Sequence, residues 1–323
     1  MGTPKEALPA SCRSDIGIGI GIGISVMGDS STESNPAVSV VIPTYRRPDL
    51  VARAIQSVLN QTHTDLEVIV VDDASPDNTA ESVRKVSDNR VRYIRHERNR
   101  GLAAAGRNTG ICVAKGRYIA FLDDDDEWKS DKLARQLEAI KSHDAVLCGA
   151  LVNGSHRKIH GSTTVTVDDL RRGNPFDPSG LLVKASVVRD LRFDEELKWG
   201  EDWDMCIRLA QRYSIGYVQE PLVLYSDGEH QRITNDARYR TGAELEKRAA
   251  VLKKHRGFFG EALYKYYYAH VLLSYLGKRG SKLQYISYAV KRCGVVSVAR
   301  VMACKLWGYW LGFVRAGTMN TSA

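Results

Sequence analysis

Between Val38 and Lys141 the chain repeats one pattern four times: a short apolar run rich in β-branched residues, then a stretch with helical spacing. The runs are "VSVVIP" (Val38–Pro43), "LEVIVVDD" (Leu66–Asp73), "VRYIRHE" (Val91–Glu97) and "RYIAFLDD" (Arg117–Asp124). Runs this short and apolar read as buried strands. The stretches 47–62, 75–87, 101–116 and 129–141 read as helices. In the first, Leu50, Ala54, Ile55, Val58 and Leu59 share a face and Pro48 suits the first turn; the third is built of small residues. Such alternation predicts a doubly wound, largely parallel, Rossmann-like α/β sheet. In sheets of this kind ligands bind beyond the carboxyl ends of the strands.

Those ends are unusual here. The first strand runs into Pro43, Thr44 and Tyr45, the second into Asp72 and Asp73, and the fourth into the four aspartates Asp123 to Asp126. Adjacent carboxylates repel, and a solvated turn does not need four of them directly after a buried strand. A hard divalent cation, Mg2+ or Mn2+, takes one or two carboxylates and completes its shell with water and phosphate oxygens. The formal net charge is +8, which suits an anionic partner: nucleotide phosphate, acidic lipid headgroups or nucleic acid. Charge alone does not choose among them.

Elsewhere the pattern is looser. Residues 144–236 hold a Pro-rich loop, "RGNPFDPSG" (Arg172–Gly180), and "LKWGEDWDMCIRLAQRY" (Leu197–Tyr213), a loop running into a helix. From about Gly242 the chain reads as helical. In Gly294–Gly317, Val295, Val296, Leu306, Trp307, Trp310 and Phe313 fall on one half of a helix, and Arg300, Lys305 and Arg315 on the other. That distribution fits a helix lying in a membrane interface, or one packed on the protein with its basic side in water. At the other end, "IGIGIGIGI" (Ile16–Ile24) is too short to span a bilayer and lacks the spacing of a dinucleotide fingerprint, so residues 1–36 read as a disordered leader. The six cysteines form no CxxC pair, and free thiols are expected.

Three segments taken together, "VSVVIPTYRRPDLVARAIQSVLNQTHTDLEVIVVDDASPDNT", "NRGLAAAGRNTGICVAKGRYIAFLDDDDEW" and "WGEDWDMCIRLA", resemble the family 2 glycosyltransferases of the GT-A fold, over roughly Val38 to Tyr225. The resemblance implies a GT-A domain over 37–240, with a nucleotide-binding half (37–143) and an acceptor half (144–240), followed by a helical C-terminal extension over 241–323. It also implies roles. Pro43, Thr44 and Tyr45 match the lining of the base pocket, and Asp73, preceded by Asp72, matches the aspartate on the uracil edge. Arg107 matches a basic residue near base and diphosphate. Asp123 and Asp124 would lie near ribose and donor sugar, with Asp125 as the metal ligand. Glu201 and Asp202 match an acidic pair whose second member is the general base.

The chemistry agrees with that assignment. A sugar hydroxyl is a poor nucleophile, and a carboxylate that takes its proton as the bond forms makes it a better one. Attack opposite a nucleoside diphosphate leaving group inverts the anomeric carbon. The expected partners are a nucleotide-sugar donor, a UDP-sugar, a saccharide or lipid-linked acceptor, and a membrane surface, with no nucleic acid. The expected location is cytoplasmic, peripheral on the cytoplasmic membrane face. Two rivals stand beside this reading. A sugar-nucleotide nucleotidyltransferase wants a Gly-rich loop after the first strand, where "PTYRRPDL" has no glycine; a non-catalytic nucleotide-sugar binder could lack the base. His230 and Arg232, in "DGEHQRIT", would close over the diphosphate or be ordinary surface. Trp199 and Trp203 are sugar-stacking or core residues. His63, His96 and His143 read as ordinary.

Overall fold

In the computed structural model, residues 35–154, 156–174, 177–225, 242–274 and 282–304 are described. They fall into two units, 35–196 with 201–225, and 197–200 with the residues from 242 onward. The first unit opens with β1 (Val38–Thr44), α1 (Pro48–Leu59), β2 (Leu66–Asp72), α2 (Thr79–Lys85), β3 (Val91–Arg95), α3 (Ala103–Val113) and β4 (Tyr118–Phe121). Strands β3, β2, β1 and β4 lie side by side in that order, all parallel. Val40, Ile42, Val68 and Val70 pack with Ile55 and Val58 of α1 in the core below.

Beyond β4 the sheet changes character. It continues through β5 (Asp126–Trp128), β6 (Ala145–Val152), β7 (His156–Lys158), β8 (Leu182–Lys184) and β9 (Ile215–Tyr225). The order from β4 is β8, β6, β9, β5, with β7 beside β6. Strand β8 is antiparallel to both β4 and β6, β9 is parallel to β6, and β5 is antiparallel to β9. The all-parallel arrangement of strands alternating with helices read from the sequence holds for the first four strands; beyond them parallel and antiparallel pairs mix. Helices α4 (Lys132–Ala139), α5 (Val167–Arg172), α6 (Ala185–Leu191) and α7 (Glu201–Arg212) complete this unit. Helix α4 starts later than its spacing implies because residues 126–128 pair with β9.

Two residues just past the strand ends, Arg46 (φ 56°) and Ala74 (φ 63°), sit in the left-handed region, at a cost on the order of 1 kcal/mol or more each. A local network holds them. The Arg46 amide donates to Ser75 Oγ at 2.8 Å, and the Ser75 amide donates to Asp72 Oδ1 at 2.9 Å. Tyr93 donates its hydroxyl to the other Asp72 oxygen.

Helix α3 lies very close to β1, which is why its residues are small. A Cβ on Gly110 would fall 2.2 Å from Val41 Cγ1, and one on Gly106 2.9 Å from the Pro43 Cβ. This approach sets Arg107 at the carboxyl edge of the sheet.

The second unit contains α8 (Gly242–Arg248), α9 (Ala250–Lys254), α10 (Arg256–Leu273, broken at Gly260 with φ 70°), α11 (Lys282–Cys293) and helical residues 295–304. Tyr268 and Tyr288 both donate to the Glu246 carboxylate. Among the described residues no helix is long and apolar enough to cross a membrane. The leader up to residue 34, and the part of Gly294–Gly317 beyond residue 304, lie outside the described residues. Cys148, Cys206, Cys293 and Cys304 are free thiols.

The contact between α3 and β1 is directly testable. Alanine at position 110 gains about 1 kcal/mol of helix propensity, but Val41 is fully buried and has no room to yield. Overpacking typically costs about 1–3 kcal/mol. Gly110→Ala is therefore expected to lower stability by about 1–2 kcal/mol in urea unfolding; unchanged or raised stability would contradict the close approach.

Candidate active site

The turn after β4 gathers the acidic run, and each carboxylate there has its own counter-group. Asp124 accepts from Thr44 Oγ1 at 2.7 Å and from Arg47 Nη1 at 2.6 Å. Burial lifts its carboxyl to about 6, with Arg47 and Thr44 pulling the other way. Asp125 Oδ2 is 3.1 Å from the same Arg47 nitrogen. Asp123 accepts from Arg107 Nη2 at 2.5 Å, and the other arm of that guanidinium, Nη1, reaches Glu201 Oε1 at 3.1 Å. Arg107 is only 2% exposed and lies over the Phe193 ring, 5.2 Å from its centre. Burial alone would weaken its hold on its proton, but Asp123 and Glu201 outweigh burial and hold it above the usual range.

The fourth aspartate faces the opposite way. Asp126 is 2% exposed and its Oδ2 accepts from Ser179 Oγ at 2.6 Å. Its Oδ1 has no hydrogen-bond partner among the described residues. Asp123, Asp126 and Asp177 each present an oxygen within 4.8 Å of the others. Burial, then the charges of Asp177 and Asp123, push the Asp126 carboxyl well above its ordinary value. Lys132, fully buried, lies 3.7 Å from the Trp128 ring centre and donates to Gln136 at 2.6 Å; burial lowers it to about 8. An orphaned buried carboxylate oxygen beside two further carboxylates suits a hard divalent cation. Asp125, expected as the metal ligand, is not one of the three.

Glu201 and Asp202 begin α7. Asp202 Oδ1 accepts from the Trp203 amide at 2.7 Å, and Oδ2 from Asn174 Nδ2 at 3.0 Å. Burial first, then the charge of Glu201, raises its carboxyl to about 6; the Trp203 amide, Arg107 and Asn174 pull it down. Trp203 Nε1 donates to the Leu170 carbonyl at 3.3 Å, tying α7 to α5. Trp199 belongs to the second unit, where Arg248 lies 5.5 Å from its ring centre.

The profile of "Glycosyl transferase family 2" matches residues 39–176. Over that stretch the chain is similar to the family 2 glycosyltransferases. The succinoglycan biosynthesis protein ExoO of Rhizobium meliloti is 44% identical over 223 residues, covering 59% of this chain and 63% of that protein. Escherichia coli WfaP, named as a UDP-Glc:alpha-D-GlcNAc-diphosphoundecaprenol beta-1,3-glucosyltransferase, is 38% identical over 105 residues, 32% of this chain and 41% of WfaP. The chain spans about a third (32%) of the length of two matching Rickettsia glycosyltransferases. Among solved structures, S. aureus TarS 1-349 in complex with UDP shares the fold, with a TM-score of 0.56 and 19% identity over 84% of this chain and 91% of that one.

The first unit draws together most of the residues singled out from the sequence. Thr44, Asp124 and Asp125 are joined through Arg47, and Asp123 and Glu201 through Arg107, with Asp123 and Asp124 adjacent in the chain. Pro43 packs against Gly106, and Tyr45 is exposed at the edge. Asp72, expected beside the nucleotide, is fully buried and its oxygens accept from Ser75 and Tyr93. Asp73 is likewise turned inward, accepting from His96 Nδ1 and from the Arg100 and Gly101 amides at 2.8–3.0 Å. Burial opposes its ionisation, yet those donors outweigh burial and hold its pKa below the usual range. Gly101, at φ 68°, supplies its amide from a conformation that favours glycine. His230 and Arg232 lie outside the described residues.

Sequence reasoning missed Arg47, Asp126 as a distinct group, Asp177, Ser179 and Asn174. The signal available for the last three was their crowding in "RGNPFDPSG", where Asp177 caps a turn by accepting from the Ser179 amide at 3.0 Å.

Removing Arg107 strands two carboxylates. Taking one partner from a buried ion pair costs about 3–5 kcal/mol, and the partial exposure of Asp123 and Glu201 places this case near the lower end. Arg107→Ala is expected to lose about 3 kcal/mol in denaturant unfolding at pH 7. A loss under 1 kcal/mol would mean the guanidinium braces nothing.

Proposed function

We propose that this chain is an inverting glycosyltransferase that moves a sugar from a nucleotide-sugar, a UDP-sugar, to a hydroxyl of a saccharide or lipid-linked saccharide, with Asp202 as general base. The observation that carries the reading is the bridge made by Arg107. One guanidinium binds Asp123 on the acidic turn and Glu201 beside Asp202, so the donor end and the base end share one edge of the sheet.

On this reading Pro43, Thr44 and Tyr45 border the nucleotide base, and Asp123 and Asp124 face ribose and donor sugar. Asp73, preceded by Asp72, meets the uracil edge, and Arg107 stands near base and diphosphate while bracing Asp123 and Glu201. Asp123, Asp126 and Asp177 would hold Mg2+ or Mn2+, with Asp125 as the competing ligand. A bound cation supplies positive charge to the diphosphate as it departs. Asp202, ionised above about pH 6, takes the proton of the acceptor hydroxyl. Its position opposite the leaving group makes the displacement inverting.

The UDP named in the WfaP donor supports the choice of nucleotide, and the diphosphoundecaprenol in the same name supports a lipid-linked acceptor. Residues 37–240 form the transferase domain, and 241–323 form a helical region that meets the cytoplasmic face of a membrane. In that region exposed Leu283, Val295 and Val296 stand among Lys282, Lys291, Arg292 and Arg300.

Nucleoside diphosphate release, screened with UDP-glucose, UDP-galactose, UDP-N-acetylglucosamine and GDP-mannose, tests the reading. Asp202→Asn is expected to slow release by about 10²–10⁴-fold while leaving UDP affinity unchanged. Wild-type activity should fall as pH drops through about 6, because the base becomes protonated. Turnover by Asp202→Asn at the wild-type rate would remove the base.

Metal binding has its own readout. In calorimetry with Mn2+, Asp126→Asn should weaken metal-dependent UDP binding at least tenfold, and chelation should abolish the metal-dependent part. Weakening by Asp125→Ala alone, with Asp126→Asn silent, would move the ion to Asp125.

A further inference from the structure

Beside Asp202 the first unit has a cleft of about 270 Å3 lined by His160, Asp169, Arg172, Gly173 and Asn174. None of the reading above uses it. Its walls are built rather than incidental. Thr166 and Asp169 form a reciprocal cap at the start of α5, in which Asp169 Oδ2 accepts from the Thr166 amide at 2.9 Å and from its hydroxyl at 2.6 Å. His160 Nε2 lies 3.1 Å from the Thr164 carbonyl and 3.6 Å from the same Asp169 oxygen. Arg172 Nη1 stands 3.6 Å from Asp169 Oδ1. The Trp203 indole holds α5 on α7, so this wall and the helix bearing Asp202 are fastened together.

The lining is a carboxylate, an imidazole, a guanidinium and an amide, with no aliphatic or aromatic side chain. Such a surface matches the hydroxyls of a sugar and offers nothing to a lipid tail. One lining residue also touches the reacting centre, since Asn174 Nδ2 donates to Asp202 Oδ2 at 3.0 Å. With the Trp203 amide on Oδ1, this bond holds the carboxylate at both ends and fixes its rotation.

We propose that Asn174 is a positioning residue for Asp202, and that the cleft it lines seats the acceptor sugar whose hydroxyl Asp202 deprotonates. The inference rests on the transferase reading and adds to it the acceptor's seat. Other charged or titratable groups facing Asp202 are Glu201 and the Cys206 thiol on its own helix and Arg107 on α3. Asn174 is the neutral donor among them, so its removal changes the orientation and acidity of the base without changing the charge of the site.

Two variants test this with the sugar nucleotide that gives the fastest release in the screen above. Asn174 stabilises the ionised carboxylate, so Asn174→Ala should move the acidic limb of the pH–rate profile upward by about one pH unit, the equivalent of a lost hydrogen bond to a charged group. The KM for donor should not change. A merely structural role would lower the rate by one factor at every pH, and that result overturns the positioning role.

Gly173 has extended backbone (φ 166°, ψ −178°), which any residue adopts, and a Cβ there meets nothing within 4 Å. Gly173→Leu should therefore fill the cleft without disturbing the fold, with UDP affinity by calorimetry as the control. Octyl glycosides of glucose, galactose, N-acetylglucosamine and glucuronic acid are the acceptor probes. At least one should accelerate UDP release by the wild type, and Gly173→Leu should lose at least tenfold of that gain. An equal gain in both proteins, or no gain with any of the four in an enzyme that turns over its donor, overturns the seat. A wild type that neither binds UDP nor releases it fails the transferase reading instead.

Discussion

The site depends on one buried cation. Arg107 is almost fully enclosed, and taking a guanidinium out of water costs several kcal/mol unless paired charges and hydrogen bonds replace its hydration. The chain supplies them from two distant places, Asp123 sixteen residues away and Glu201 ninety-four residues away. Neither carboxylate would stay at its position without the guanidinium, and the guanidinium would not be where it is without glycine. Gly106 and Gly110 let α3 press onto β1; a bulkier helix would stand off the sheet and carry Arg107 with it. The order of causes runs from two missing side chains, through a close helix–strand contact, to a charge bridge that joins the acidic turn to the start of α7.

The same logic explains how four consecutive aspartates coexist. Arg107 serves Asp123, Arg47 serves Asp124 and Asp125, and Asp126 turns away toward Ser179. Turning away relieves repulsion on the outer side of the turn and creates it on the inner side, where Asp177 and Asp123 approach the free oxygen of Asp126. Burial and the charges of Asp177 and Asp123 push the Asp126 carboxyl well above its ordinary value.

How far this was legible in the sequence varies with the kind of interaction. The parallel half of the sheet was plain because apolar runs and helical spacing are local properties. The mixed half was not: β5 and β8 are three residues each, too short to show a period, and their direction is set by partners such as Val183 against Ile119. Thr44, Asp123, Asp124, Glu201 and Asp202 could be placed at one edge because each follows a strand or opens a helix. The hydrogen-bond partners of Asp72 and Asp73 could not be read from the sequence. An aspartate at a strand end looks the same whether it points outward or is consumed by Tyr93, Ser75, His96 and the Arg100 amide. Lys132, in a helix whose spacing was read, is fully buried, where Gln136 and the face of Trp128 meet its charge. Asn174, Asp177 and Ser179 sit in an irregular loop, and only the folded chain brings that loop to the edge.

Arg107 also answers a demand at the opposite end of the site. The general base proposed at Asp202 would be most useful with a pKa near its working pH, high enough to hold a proton and low enough to be ionised. Burial and the neighbouring charge of Glu201 push Asp202 upward; the Trp203 amide, Arg107 and Asn174 draw it back, and the balance falls at about 6. The guanidinium neutralises Glu201 by direct contact and restrains Asp202 through its own field. One residue thus both brings the acidic turn to α7 and keeps the carboxylate there ionised at neutral pH. The structure and the acidity of the site rest on the same charge, so evolution of either is bound to the other.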